Sequence, residues 1–143
     1  MREAALVQRI IQFGFPQEIK TKNKISHATE VRAIKNKADL VYFEHNDNTI
    51  GSIFAIEAKL YNWRKALKQA YRNKLFADRA YVALPEESAA PAICQIQEFH
   101  HASVGLIIVS NTYSRVYYNP PLNTYRSPKH VEKVQQTLSC LVG

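Results

Sequence analysis

The sequence predicts an α/β fold: one domain with a mixed central β-sheet flanked by helices. Short runs rich in apolar and β-branched residues recur along the chain, and from residue 61 onward they alternate with segments of helical periodicity. The first three runs follow one another across short turns, so a β-meander leads into two crossover units. A length of 143 residues, 46% hydrophobic and 22% charged, suits one ordinary core.

Leu6, Val7, Ile10, Ile11 and Phe13 form a helical stripe over residues 2–13, closed by Gly14 and Pro16. QEIKTKNK (17–24) reads as a polar connection or a strand edge. ISHATEVRAI (25–34) predicts a first strand and DLVYFEH (39–45) a second. NDN (46–48) is the hairpin turn and TIGSIFAIEAK (49–59) the third strand. A helix at about 61–75 would bury Trp63, Leu67, Ala70, Tyr71 and Leu75 and turn Arg64, Lys65, Lys68 and Arg72 to a neighbouring face. RAYVALP (79–85) predicts a short strand closed by Pro85, and SAAPAICQIQEFHHA (88–102) a helix with Pro91 in its first turn. VGLIIVS (104–110) predicts a buried strand and TYSRVYYN (112–119) an alternating edge strand. KHVEKVQQTLSCLV (129–142) predicts an amphipathic helix through Val131, Val134, Leu138 and Leu141. No repeat or low-complexity linker divides residues 1–143, so one domain is the simplest account.

Several function classes fall away at once. No run is long and apolar enough to span a membrane. MREAALVQRIIQFGF carries Glu3 and Arg9 inside its apolar pattern and has no cleavage-site signature, so a cytoplasmic protein is expected. Cys94 and Cys140 match no zinc or redox spacing and are expected as reduced, packed thiols. His27 and His45 belong to no ligand-spaced cluster, and His100 and His101 point to different helix faces. The net charge of +7 lies wholly in residues 1–79, with fifteen Lys/Arg against eight Asp/Glu; residues 80–143 hold four of each. A positive field confined to one half suits a polyanionic partner, nucleic acid first, or else is a basic solvated surface.

The stretch IFAIEAKLYNW (53–63) carries the chemistry. Glu57 and Lys59 share one face of a strand end, because alternate residues of a strand point the same way. A hairpin turning at 46–48 brings the start of strand 39–45, and so Asp39, beside Glu57. Two nearby carboxylates raise each other's pKa, and a divalent cation relieves that repulsion. Mg²⁺ takes one or two carboxylates, a carbonyl and several waters, so the Ala58 carbonyl is a candidate third ligand. Lys59 could then steer an attacking water or stabilise charge on a phosphate. Metal-assisted phosphodiester hydrolysis fits this arrangement. Alternatively, Glu57 and Lys59 simply pair with one another while Asp39 caps a turn.

ADLV (38–41), followed by IEAKL (56–60) and a basic helix, resembles the PD-(D/E)XK nuclease superfamily. That group includes restriction endonucleases, Holliday-junction resolvases and RecB-type nuclease domains. Ala38 stands where the eponymous proline would be. The resemblance spans roughly residues 1–110. It implies a restriction endonuclease-like fold and a Mg²⁺-dependent DNA endonuclease, with Mn²⁺ as a substitute ion. It assigns Asp39 and Glu57 to the metal and Lys59 to the nucleophilic water. It further matches Glu3 to an acidic residue on the first helix and Gln69, in KQAY, to a glutamine on the helix after the lysine strand. Read on their own, Glu3 may do no more than favour a helix N-terminus, and Gln69 is a surface residue opposite the apolar stripe. Glu30, on a strand expected beside Asp39, is either near the site or an ordinary strand-surface carboxylate.

Arg64, Lys65, Lys68 and Arg72, together with Lys35 and Lys37 of the cluster Lys20, Lys22, Lys24, Lys35 and Lys37, are candidate DNA-binding residues that neutralise phosphates without reading bases. The rival reading is a non-catalytic DNA-binding or assembly module on the same fold, and a third is a protein-interaction domain. Residues 129–142 and TYSRVYY (112–118) offer apolar surface for a homodimer or for the monomer's own core.

Overall fold

Six strands lie side by side in chain order in a single sheet in the computed structural model, which describes residues 1–15, 23–47 and 49–142. Helix α1 (Glu3–Phe13) precedes the antiparallel meander of β1 (Lys24–Arg32), β2 (Lys37–Asn46) and β3 (Thr49–Ala58). Helix α2 (Trp63–Asn73) crosses over to β4 (Arg79–Pro85), parallel to β3. A short 3₁₀ turn (Glu86–Ser88) and helices α3 (Ala90–Cys94) and α4 (Ile96–Ala102) cross over to β5 (Gly105–Val109), parallel to β4. The antiparallel edge strand β6 (Ser114–Tyr118) and helix α5 (Pro128–Val142) complete the chain. The fold class is the one the sequence predicts, an α/β domain whose mixed sheet is covered by helices on both faces. Of the segment expected as a polar connection or strand edge, residues 17–22 lie outside the described residues, as do Lys20, Lys22 and Asn48 of the expected hairpin turn.

Strand alternation sorts the core into two layers. Leu40, Tyr42, Phe54, Ile56, Tyr81 and Ile107 face α1, which contributes Leu6, Val7 and Ile10. Val41, Phe43, Ile53 and Ala55 face the other way and meet Val134 and Leu138 of α5. On that same face α2 and α4 set Trp63, Ala66, Ala70 and Phe99 on Ala80, Val82 and Leu106. Helices on both sides explain why β3 is buried without interruption from Ile53 to Ala58 rather than alternately. The inward stripe of α5 is thus spent on the monomer's own core, although Leu141 is exposed.

Four expectations need correcting. Helix α2 ends at Asn73, and its buried side runs through Trp63, Ala66, Ala70 and Asn73, whereas Tyr71 and Leu75 are exposed. The small alanines let the helix approach β4 closely, which rotates the two larger residues outward. The segment 88–102 is not one helix, because Gln95 leaves helical geometry at φ −112° and ψ 31°. Ser88 does not begin that helix; its hydroxyl donates to the Leu60 carbonyl and ties this turn to the end of β3. Cys94 and Cys140 are free thiols as expected, but both are exposed rather than packed.

Candidate active site

The register of β2 and β3 fixes the centre of the site. Leu40 pairs with Ile56, so the next step of the ladder sets Asp39 opposite Glu57. Both side chains then share the face covered by α2. The Ala58 N–H donates to Asp39 Oδ2 at 2.9 Å, which holds that carboxylate against the end of β3. A strand residue's N–H and C=O point to the same side, so the Ala58 carbonyl also faces β2.

Glu57 is 3% exposed, and Asn73 and Ser110 are the other buried polar residues among those described. Asn73, fully buried at the end of α2, uses both ends of its amide: Nδ2 donates to Glu57 Oε1 at 2.8 Å, and Oδ1 accepts from Asn36 Nδ2 at 2.7 Å. Burial pushes the Glu57 carboxyl up to about 8; the neighbouring Asp39 charge adds to this, while the Asn73 bond and the Lys59 charge oppose it. The pair therefore holds a proton near neutral pH, as two carboxylates in one dry site must.

A cleft of about 310 Å³ opens over this centre. Asp39, Glu57 and Lys59 form its floor, with Gln69 and Arg72 of α2 on one side and Lys35, Asn36 and Lys37 of the β1–β2 turn on another. Glu3 of α1 closes a further side, its Oε1 3.8 Å from Lys59 Nζ. Gln69 is not solvent surface: its Oε1 is buried and without a hydrogen-bond partner. Lys37 also reaches Glu30 at 3.1 Å. Glu30 lies across from Asp39 in β1 but takes a left-handed backbone, φ 51°, and the ladder pairs resume at Val31.

The structure thus brings Glu3, Asp39, Glu57, Ala58, Lys59, Gln69, Arg72, Lys35 and Lys37 to one end of the sheet. It does not bring the rest of the basic helix there. Arg64 stacks over Trp63 at 4.3 Å and meets Glu98 of α4 at 3.4 Å. Lys65 is exposed near the start of α2, and Lys68 borders a separate depression with Leu67 and Ala102. His27 stacks on Tyr42 and His45 bonds Ser26. Asn73 and Asn36 are the site residues that sequence reasoning missed; polar residues at a helix end and in a turn carry no periodic signal.

Among the described residues no three His, Cys, Asp or Glu side chains form a metal-binding group. Two carboxylates suffice for Mg²⁺, which keeps several of its waters. The donor set fits such an ion: the Asp39 and Glu57 carboxylates meet in one cleft, where the Asp39 charge adds to the rise in the Glu57 pKa, and Gln69 lines the same cleft.

No family model matches the sequence, and no curated protein matches it either. Among solved structures the fold is similar to that of a protein of unknown function from Silicibacter pomeroyi. The TM-score is 0.58 at 18% sequence identity, over 82% of this chain and 74% of the other. At that identity the likeness concerns the fold alone. Among the described residues, no helix is long and apolar enough to cross a membrane.

Proposed function

We propose that this chain is a Mg²⁺-dependent deoxyribonuclease of the PD-(D/E)XK type, hydrolysing phosphodiester bonds in DNA, with Mn²⁺ able to replace Mg²⁺. One observation carries the reading: Asp39 and Glu57 face each other across β2 and β3, and Lys59 lies in the same cleft, with Lys35, Lys37 and Arg72 at its rim. Asp39, Glu57 and the Ala58 carbonyl would hold the ion. When bound, it supplies neutralisation of phosphate charge and a more acidic water.

The protein's own groups do the rest. Glu57 would hold the ion as a carboxylate, its proton having passed to solvent, and Asn73 keeps its Oε1 in place. The Lys59 ammonium, restrained by Glu3, orients the attacking water and meets charge developing on the phosphate. Lys35, Lys37 and Arg72 neutralise flanking phosphates and set the register of the strand without reading its bases. The test is a cleavage panel of linear, branched and single-stranded DNA with Mg²⁺ or Mn²⁺, comparing the parent with Glu57→Ala and Lys59→Ala. The reading requires both variants to lose cutting. If either cuts as fast as the parent, this mechanism is wrong; salt-sensitive DNA binding with no cutting of any form would favour the non-catalytic module.

A further inference from the structure

The outer side of α2 carries a stripe that the core does not use. Lys68, Tyr71 and Arg72 follow one another at helical spacing, Leu75 continues their line in the turn after α2, and all four are exposed, Tyr71 to 56%. Beside it lies a groove of about 350 Å³, with Tyr71 and Leu75 on one side and Asn123 and Tyr125 on the other. Tyr125 is 72% exposed. Arg72 lines both this groove and the cleft above Glu57, so one side chain borders the two depressions.

The groove is built, not left over. Asn123 Nδ2 donates to the carbonyls of Lys74 and Ala77, and its backbone N–H to that of Asp78. The Ser127 N–H donates to the Leu75 carbonyl, and Arg126 reaches both the Phe76 carbonyl and Asp78. These bonds pin the loop after β6 to the end of α2 and hold Tyr125 along the groove. On the helix side, the Lys74 ammonium stands 5.1 Å from the Tyr71 ring centre and is itself held by the Ala102 carbonyl at 2.9 Å. The Tyr71 ring is thus exposed yet held by a neighbouring cation, and the loop that carries Tyr125 is anchored, which lowers the ordering cost of binding.

The charge is one-sided. Lys68, Arg72 and Lys74 line this groove and the depression beside it, and among the described residues no acidic side chain lines either. Exposed tyrosines interleaved with cations suit a polyanion whose bases are free to stack. A closed duplex offers phosphates but hides its base faces. We infer that the groove binds single-stranded DNA, stacking bases on Tyr71 and Tyr125 and passing the backbone by Arg72 to the cleft. This builds on the nuclease reading and adds the form of its substrate: a free strand or the single-stranded arm of a branch.

The test measures binding without metal, so that it stands apart from catalysis. A fluorescein-labelled oligothymidylate of about 20 nucleotides, longer than the ~4–16 covered by one small domain, is titrated in EDTA with the full chain, followed by anisotropy. A duplex of the same length serves as comparison. The single strand should bind more tightly than the duplex. Tyr71→Ala and Tyr125→Ala should each weaken single-strand binding by roughly 5- to 100-fold and leave duplex binding unchanged. Tyr71→Phe and Tyr125→Phe, which keep the ring, should bind as the parent does. Both tyrosines are exposed, and an unchanged melting temperature shows that the alanine variants are folded. Equal loss on single strand and duplex, or no loss on either, overturns the groove assignment. Cleavage that survives both tyrosine changes at parental rates on single strands also overturns it and leaves the nuclease standing. Tyrosine-dependent single-strand binding without cutting by the parent supports the groove and sinks the nuclease.

Discussion

Replacing Glu57 with glutamine removes one titratable proton while keeping an acceptor for Asn73. In the metal-free protein the Glu57 carboxyl titrates at about 8 against an ordinary value of 4.5. The folded pKa is the higher one, so the native state binds this proton more tightly than the unfolded chain does. Below about pH 4.5 both states are protonated and the group costs nothing. As the pH rises from there, the unfolded chain ionises first, and native stability falls by about 1.4 kcal/mol per pH unit until the folded group titrates too. Over the whole interval the loss approaches about 5 kcal/mol, a large part of the ~5–15 that a domain possesses. At about 4 °C per kcal/mol for a chain of this size, the parent should lose some 10–20 °C of melting temperature relative to Glu57→Gln between pH 5 and pH 8.5. Thermal unfolding followed by circular dichroism in EDTA measures this, and the difference between the two proteins cancels the titrating groups that do not interact with Glu57. Adding Mg²⁺ at pH 8 should restore about 2.7 kcal/mol to the parent at a hundred times its dissociation constant, and nothing comparable to the variant. Melting curves that shift in parallel across the whole pH range would refute the claim that Glu57 is held protonated by its surroundings.

Asn73→Ala leaves Glu57 and Asn36 each without a buried partner and should cost about 1–3 kcal/mol in urea unfolding. Because the lost bond favours the ionised carboxylate, the Glu57-dependent fall in stability should extend to higher pH. Gly105→Ala would place a methyl 2.3 Å from Tyr81 Cδ2 and 2.8 Å from Pro120 Cδ. The Tyr81 ring is fixed by its hydroxyl bond to Asn119, so overpacking of about 1–3 kcal/mol or more is expected, read by the same method. Glu3→Gln breaks a long, half-exposed ion pair and should change stability by less than about 1 kcal/mol. Any larger fall in cleavage rate would then come from freeing Lys59. Lys35→Ala and Lys37→Ala should each lower the steepness of log affinity against log salt by about 0.9 on duplex DNA; an unchanged slope removes that lysine from the phosphate-binding face.

The part of the site legible in the sequence is the part made by local pairing. Asp39 and Glu57 are joined by one hairpin, so a turn near 46–48 and strict alternation suffice to oppose them. Lys35 and Lys37 follow from the preceding hairpin of β1 and β2, since they lie in or beside the turn that precedes Asp39. What escaped depends on separations that periodicity does not record. Asn73 reaches a partner 16 residues away and another 37 away, and nothing in WRKALKQAYRN marks it as buried. The apolar count favoured Tyr71 and Leu75 for the core of α2, yet close approach to β4 is available to Ala66 and Ala70 and not to bulky side chains. That error hid the outer stripe, because residues assigned to a core are not considered as a surface. The basic residues show the same limit: one helix carries Arg64, Lys68 and Arg72, and only the tertiary fold turns Arg64 to Glu98 and Arg72 to the cleft.

Over most of the sheet, local preference and tertiary packing agree, as they should in a sequence that specifies one fold. Unfavourable features occur elsewhere, at the buried, unpartnered Ser114 hydroxyl and the left-handed Asp47 and Ser103, but three lie together at one end. Glu57 is a buried acid held in its neutral form, Gln69 keeps a buried carbonyl without a partner, and Glu30 adopts a left-handed backbone beside Asp39 in the middle of a strand. Each is unfavourable alone: the first grows with pH, the second leaves a desolvated acceptor, and the third is strain that a glycine would relieve. Two of the three residues line one cleft, and Glu30 reaches it through Lys37. A cation between the carboxylates would remove the first cost. The Glu57 cost is what separates the proposed metal-assisted site from an incidental strand-end ion pair: added Mg²⁺ would relieve it in the first case and not in the second.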